Sequence, residues 1–154
     1  NALQIFDSWV GAVNSTEYEQ AIFPHMKRII STVKSRFPNL PLAMNGVGTD
    51  HLVSTWAKLP LDVIALDWRS SLGAAKDRGV TQTVQGNLDP AYLYGDTKTI
   101  AKVVDEILMD GVRHGKHVFN LGHGVFPEAD PAKLHWLTDY VHEKSRELWA
   151  RESR

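Results

Sequence analysis

Five times along this chain a short apolar run gives way to polar or glycine-bearing residues and then to a stretch with helical spacing. The runs are Leu3 to Phe6, Leu40 to Met44, Val63 to Leu66, Gln82 to Val84 with its flanks, and His117 to Leu121. Their brevity and their Val, Ile, Leu and Phe content predict buried parallel strands. A strand–helix alternation repeated about five times implies a parallel sheet with helical crossovers. Two α/β architectures satisfy it: an open doubly wound sheet, or part of a (β/α)8 barrel. A complete barrel takes about 250 residues, so 154 residues hold about five of its eight units. No linker or composition shift divides the chain, and residues 1–154 read as a single domain.

The segments between the runs carry their own signals. Tyr18, Ile22, Met26, Ile29, Val33 and Phe37 recur every three or four residues behind an Asn14–Glu17 start that resembles a capping box. Pro24 interrupts this stretch and predicts a kink or two helices in series. Thr97 is placed to cap a helix with Ile100, Val103, Val104, Ile107 and Leu108 on its buried face. Asp130-Pro131 reads as a capping carboxylate followed by proline at the first helical position, with Leu134, Leu137, Val141 and Leu148 as the buried stripe. Weaker helical signals fall near 49–58 and 71–78.

Charge and composition remove several function classes. With 17 Lys and Arg against 18 Asp and Glu, the chain has no long-range attraction for nucleic acid or an anionic membrane. It has no cysteine, hence no disulfide, thiolate nucleophile or Cys-ligated metal. No apolar run approaches the roughly 18 residues of a membrane span, which predicts a soluble, intracellular protein. The chain opens Asn1-Ala2-Leu3 and enters an apolar run at once, so it is expected to be cut from something longer.

The polar residues collect just after the apolar runs: Asp7 and Ser8, Asn45, Asp67, Gln85 with Asn87 and Asp89, then Asn120 and His123. In a parallel sheet these positions all lie at carboxyl ends facing one way, the side on which such folds build their sites. Asp67, Asn87 and Asp89 also suit turn and cap roles, because Asx side chains satisfy nearby backbone donors. No phosphate-binding glycine pattern, His-Glu-x-x-His or Gly-x-Ser-x-Gly elbow occurs, so neither a metal site nor a serine nucleophile is expected. The rings of His114 and His117 are expected to point apart, and His142 to lie on a surface or helix-packing face. His123, flanked by Gly122 and Gly124 just past a strand, can project into a cleft, and Ser8 is a hydrogen-bond donor at another strand end.

Four motifs then stand in order: Gln4-Ile5-Phe6-Asp7-Ser8-Trp9-Val10-Gly11, Ala65-Leu66-Asp67-Trp68-Arg69, Gln85-Gly86-Asn87-Leu88-Asp89-Pro90, and Phe119-Asn120-Leu121-Gly122-His123-Gly124-Val125-Phe126-Pro127. Together they resemble the uroporphyrinogen decarboxylase family in its bacterial form, over essentially the whole chain. The resemblance implies a (β/α)8 TIM barrel of which this chain supplies about the last five units, in a cytoplasmic homodimer. It implies decarboxylation of the four acetate side chains of uroporphyrinogen to give coproporphyrinogen in haem and porphyrin biosynthesis, with no metal or other cofactor. The pyrrole ring serves as electron sink: its protonation makes a cation, and loss of carbon dioxide returns electrons to it. A protein doing this binds a multiply anionic substrate and delivers protons in a water-poor cleft. Carried over residue by residue, Ser8 and His123 match the serine and histidine that hydrogen-bond substrate carboxylates. The family's amino-terminal arginines, its pyrrole-binding aspartate and its substrate-contacting tyrosine have no counterpart here. No catalytic residue is therefore assigned, and the chain alone is expected to be inactive.

Two alternatives stand beside this reading. Corrinoid and thiol methyltransferases share the barrel type but hold zinc partly through cysteine, which this chain lacks. A non-catalytic half-barrel is the other, and its unpaired strand edges would invite dimerisation or aggregation.

Overall fold

Each apolar run becomes a strand of one parallel sheet. A computed structural model describes residues 1–152; the expected single domain ends in residues 153–154, which lie outside the described residues. The strands are β1 (Leu3–Asp7), β2 (Leu42–Gly46), β3 (Val63–Ala65), β4 (Thr83–Leu88) and β5 (His117–Leu121). They lie side by side in chain order, every pair parallel. Successive side chains point to opposite faces. Met44, Ile64 and Val84, adjacent in the register, are fully buried beneath the helices. The opposite face carries Gln4, Phe6, Asn45, Gln85, Val118 and Asn120. Residues of β1 and β5, the two outermost strands, line one cleft, so the sheet is curled as an arc of a barrel.

The helices cover the outer face. Asn14 caps α1 (Ser15–Glu17) by accepting from the Glu17 N–H at 2.9 Å, as the capping pattern predicts. A π-helical turn, Tyr18–Ile22, leads into α2 (Phe23–Arg36), with Pro24 at its second position. The disturbance expected at Pro24 takes this form because its ring would collide with the carbonyl four residues back, and a wider turn relieves that. Beyond β2, the 49–58 segment forms a 3-10 turn, Asp50–Leu52, and the short α3 (Val53–Trp56). The expected helix at 71–78 shrinks to one 3-10 turn, Lys76–Arg78, closed by Gly79 in the left-handed region. In α4 (Thr97–His114) the cap lies one residue earlier than expected. Asp96, not Thr97, accepts from the Thr99 N–H at 2.7 Å. Asp130 caps α5 (Pro131–Glu152) through the Ala132 N–H, as expected.

Two apolar clusters hold the layers together. One packs Tyr18, Ile30, Met44, Trp56, Ile64 and Val84; the other joins Leu88, Leu93, Ile100, Val104, Leu137 and Val141, with Ile107 touching both. Trp56 donates its indole N–H to the Tyr18 hydroxyl at 2.9 Å, and burial pushes the Tyr18 pKa up to about 12. His114 bonds the Gln82 carbonyl just before β4 and His117 the Gly86 carbonyl within it, so they form no joint ligand set.

Burial holds the His117 pKa below its ordinary value, outweighing the Gly86 carbonyl that favours its proton. Protonation therefore favours the unfolded chain, which retains the ordinary value of 6.5. Stability is expected to be full above that value and to fall as pH drops below it. Urea midpoints measured across this range should flatten in His117→Phe; an unchanged slope would show that His117 does not set it.

Candidate functional site

The carboxyl ends of β1, β2 and β5 open onto a cleft of about 470 Å3 lined by Gln4, Phe6, Ser8, Asn45, Val47, Asn120, His123 and Val125, with Leu121 and two glycines between them. Ser8 and His123 are 115 positions apart and both exposed, yet they line the same space. Gln4, Phe6 and Ser8 occur two residues apart, the spacing that puts strand side chains on one face. The cleft wall thus combines a hydroxyl, three side-chain amides and one imidazole with the apolar side chains of Phe6, Val47, Leu121 and Val125.

The strand-end residues divide into two groups. Ser8, Asn45, Asn120 and His123 line the cleft, whereas Asp67 and Asn87 are buried scaffold. Asp67 has no exposed side-chain surface. Its carboxylate accepts from the Gly48 N–H at 2.6 Å, the Arg69 N–H at 3.1 Å and the Ser70 hydroxyl at 3.4 Å, and pairs with the Arg69 guanidinium at 3.2 Å. Asn87 donates to the carbonyls of Asp67 and Ser70 at 2.8 and 2.7 Å. Asp89 caps the 3-10 turn Pro90–Tyr94 through the Ala91 N–H. Gln85 lies on the inner face beside Ala43 and Val63, in a separate hollow with Gln4. Asp67 and Asp89 thus satisfy nearby donors as expected of Asx side chains, whereas Asn87, expected in a turn, lies in β4 and donates to carbonyls distant in sequence. None of the three side chains lines the cleft.

The end of β5 meets this scaffold directly. The Gly122 N–H donates to the Leu88 carbonyl at 2.7 Å, and a Cβ on Gly122 would stand 2.5 Å from the Trp68 nitrogen. Only glycine permits that approach, which brings His123 beside Trp68. Their rings meet edge to face, with centroids 5.8 Å apart and planes at 90°. Arg69 in turn lies over the Trp68 ring at 4.2 Å.

Phe6 is 71% exposed in the cleft wall, which its place in an apolar run does not signal. Gln4 lines the cleft as well, and a glutamine inside an apolar run is the signal that marks the polar face of that strand. Among the described residues no group of three His, Cys, Asp or Glu side chains comes together to hold a metal. No helix among them is long and apolar enough to cross a membrane.

Comparison with known proteins bears on the same residues. The family model described as Uroporphyrinogen decarboxylase (URO-D) matches residues 1–144. Proteins named uroporphyrinogen decarboxylase from Staphylococcus aureus strains JH9 and Newman are each 49% identical over 140 residues, which is 91% of this chain. The chain spans 40% of the length of those relatives. A solved methyltransferase from Methanosarcina mazei superposes with a TM-score of 0.73 at 15% identity, over 97% of this chain and 42% of its own. At that identity the likeness concerns the fold, and it agrees with the curled parallel sheet.

Proposed function

Because the chain belongs to the uroporphyrinogen decarboxylase family, we propose that it is the carboxyl-terminal, single-domain part of an enzyme that removes carbon dioxide from the acetate side chains of uroporphyrinogen, giving coproporphyrinogen. In each round the bond from the methylene to the carboxylate breaks and its electron pair flows into the protonated pyrrole. Carbon dioxide leaves, the methylene takes up a proton to become methyl, and the ring returns the proton it had borrowed. Ser8 and His123 bind substrate carboxylates, the serine through its hydroxyl and the histidine through a ring N–H. The observation that carries this reading is that the two side chains, from opposite margins of the sheet, line one cleft with three amide side chains around them.

Groups that stabilise the pyrrolium are supplied by the remainder of the protein, so residues 1–154 alone bind substrate weakly and do not turn it over. The whole protein acts in the cytoplasm as a homodimer and needs no cofactor. Incubating the full-length protein with uroporphyrinogen under anaerobic conditions is expected to yield coproporphyrinogen, and the isolated chain is expected to yield none above background. A full-length protein that leaves uroporphyrinogen unchanged would overturn the assignment.

A further inference from the structure

Among the described residues His123 makes no side-chain hydrogen bond, and Trp68 is its one ring contact. It also sits between two glycines, exposed, so its neighbours in the chain contribute no side chain that could hold the imidazole in place. A ring with two soft torsions in that setting has many orientations, and binding would have to select one of them. Trp68, by contrast, is held from two sides, one of them itself braced. Its backbone packs against Gly122, the Arg69 guanidinium lies over its ring, and that guanidinium is tied to the buried Asp67 carboxylate. Asp67 is itself anchored by the N–H groups of Gly48 and Arg69 and by the Ser70 hydroxyl.

We propose that Trp68 is a positioning residue for His123, an aromatic stop braced by Arg69 and Asp67 that fixes the orientation in which the imidazole faces the cleft. Its consequence for catalysis rests on the carboxylate-binding role given to His123 above, whereas the orientation itself does not. Edge-to-face aromatic pairs are favourable for reasons of ring electrostatics, and a cation over the far ring steadies the indole further. Arg69 thus serves the site through Trp68, and Asp67 through Arg69.

The test separates the two readings. In full-length protein carrying 13C-labelled histidine, the His123 Cε1–H signal is identified by its absence in His123→Gln. The Trp68 ring current displaces this signal. Trp68→Leu is expected to abolish the displacement and to raise KM for uroporphyrinogen about 2- to 10-fold, the size of one aromatic pair, with little change in kcat. Trp68→Phe is expected to retain most of the displacement and restore KM. Should Trp68→Leu fail to fold, Arg69→Gln, at a half-exposed position, carries the test with a smaller shift in the same direction. A His123 signal unmoved in the folded variant would overturn the proposal. Loss of the indole removes its ring current in any case, so positioning is read from Arg69→Gln, which keeps the ring. A signal that moves there in a protein that does not decarboxylate would uphold the positioning of His123 and overturn the substrate reading, and one unmoved there would overturn the positioning.

Discussion

Replacing His123 by alanine in the full-length protein is expected to lower kcat/KM for uroporphyrinogen about 10- to 100-fold while leaving the folded state intact. Hydrogen bonds to charged groups contribute about 1.5–3 kcal/mol, and each 1.4 kcal/mol or so is a factor of ten. The fold should tolerate the change because the ring is exposed and packs only edge-on against Trp68. Ser8→Ala removes a donor to a substrate carboxylate from the other wall and is expected to cost a similar amount, about 10- to 100-fold, since that bond too is made to a charged group. If both side chains hold the same substrate, the double variant should depart from the sum of the single effects. Initial rates of anaerobic decarboxylation measure all three. A His123→Ala enzyme as fast as the parent would remove His123 from the site.

Gly86→Ala is expected to destabilise the protein by several kcal/mol, on the order of 3–5. Gly86 has φ of 134°, a conformation that L side chains rarely adopt, and a Cβ there would stand 2.5 Å from the Leu66 carbonyl oxygen. That oxygen belongs to backbone, so it cannot swing aside as a side chain would. Neighbouring Leu66 N–H is bonded to the Gln85 carbonyl at 2.8 Å, which ties the two segments at the point of collision. Gly124→Ala serves as the control: nothing lies within 4 Å of its added carbon, and its effect should stay within about 0.5 kcal/mol. Urea midpoints at constant slope would measure both. Equal midpoints for the two variants would show that β4 can move away from Leu66.

Where the chain alone revealed its structure, the signal was local. The apolar run His117 to Leu121 is β5 to the residue, and Asn14 and Asp130 cap the helices they announce. What escaped depended on partners distant in sequence. β4 runs on to Leu88, past a Gly-Asn pair that looks like a turn, because Gly86 and Asn87 pair with Phe119 and Asn120 of β5. Asp96 displaced Thr97 as cap, since a carboxylate one residue earlier reaches the Thr99 N–H. In the site, the positions of Ser8 and His123 were legible because a parallel sheet sends all its carboxyl ends one way. The burial of Asp67 was not, because its hydrogen-bond donors, on Gly48, Arg69 and Ser70, come from two separate loops. Nor could spacing show that Arg69 and His123 would share the ring of Trp68.

The sheet's chain-order arrangement has a further consequence. Each strand lies beside the one made just before it, so a ribosome can hand over the units one at a time, every newcomer finding its dock already built. Among the described residues the outer edges of β1 and β5 have no strand beside them, and it is there that a newly made sheet is most exposed to wrong pairings.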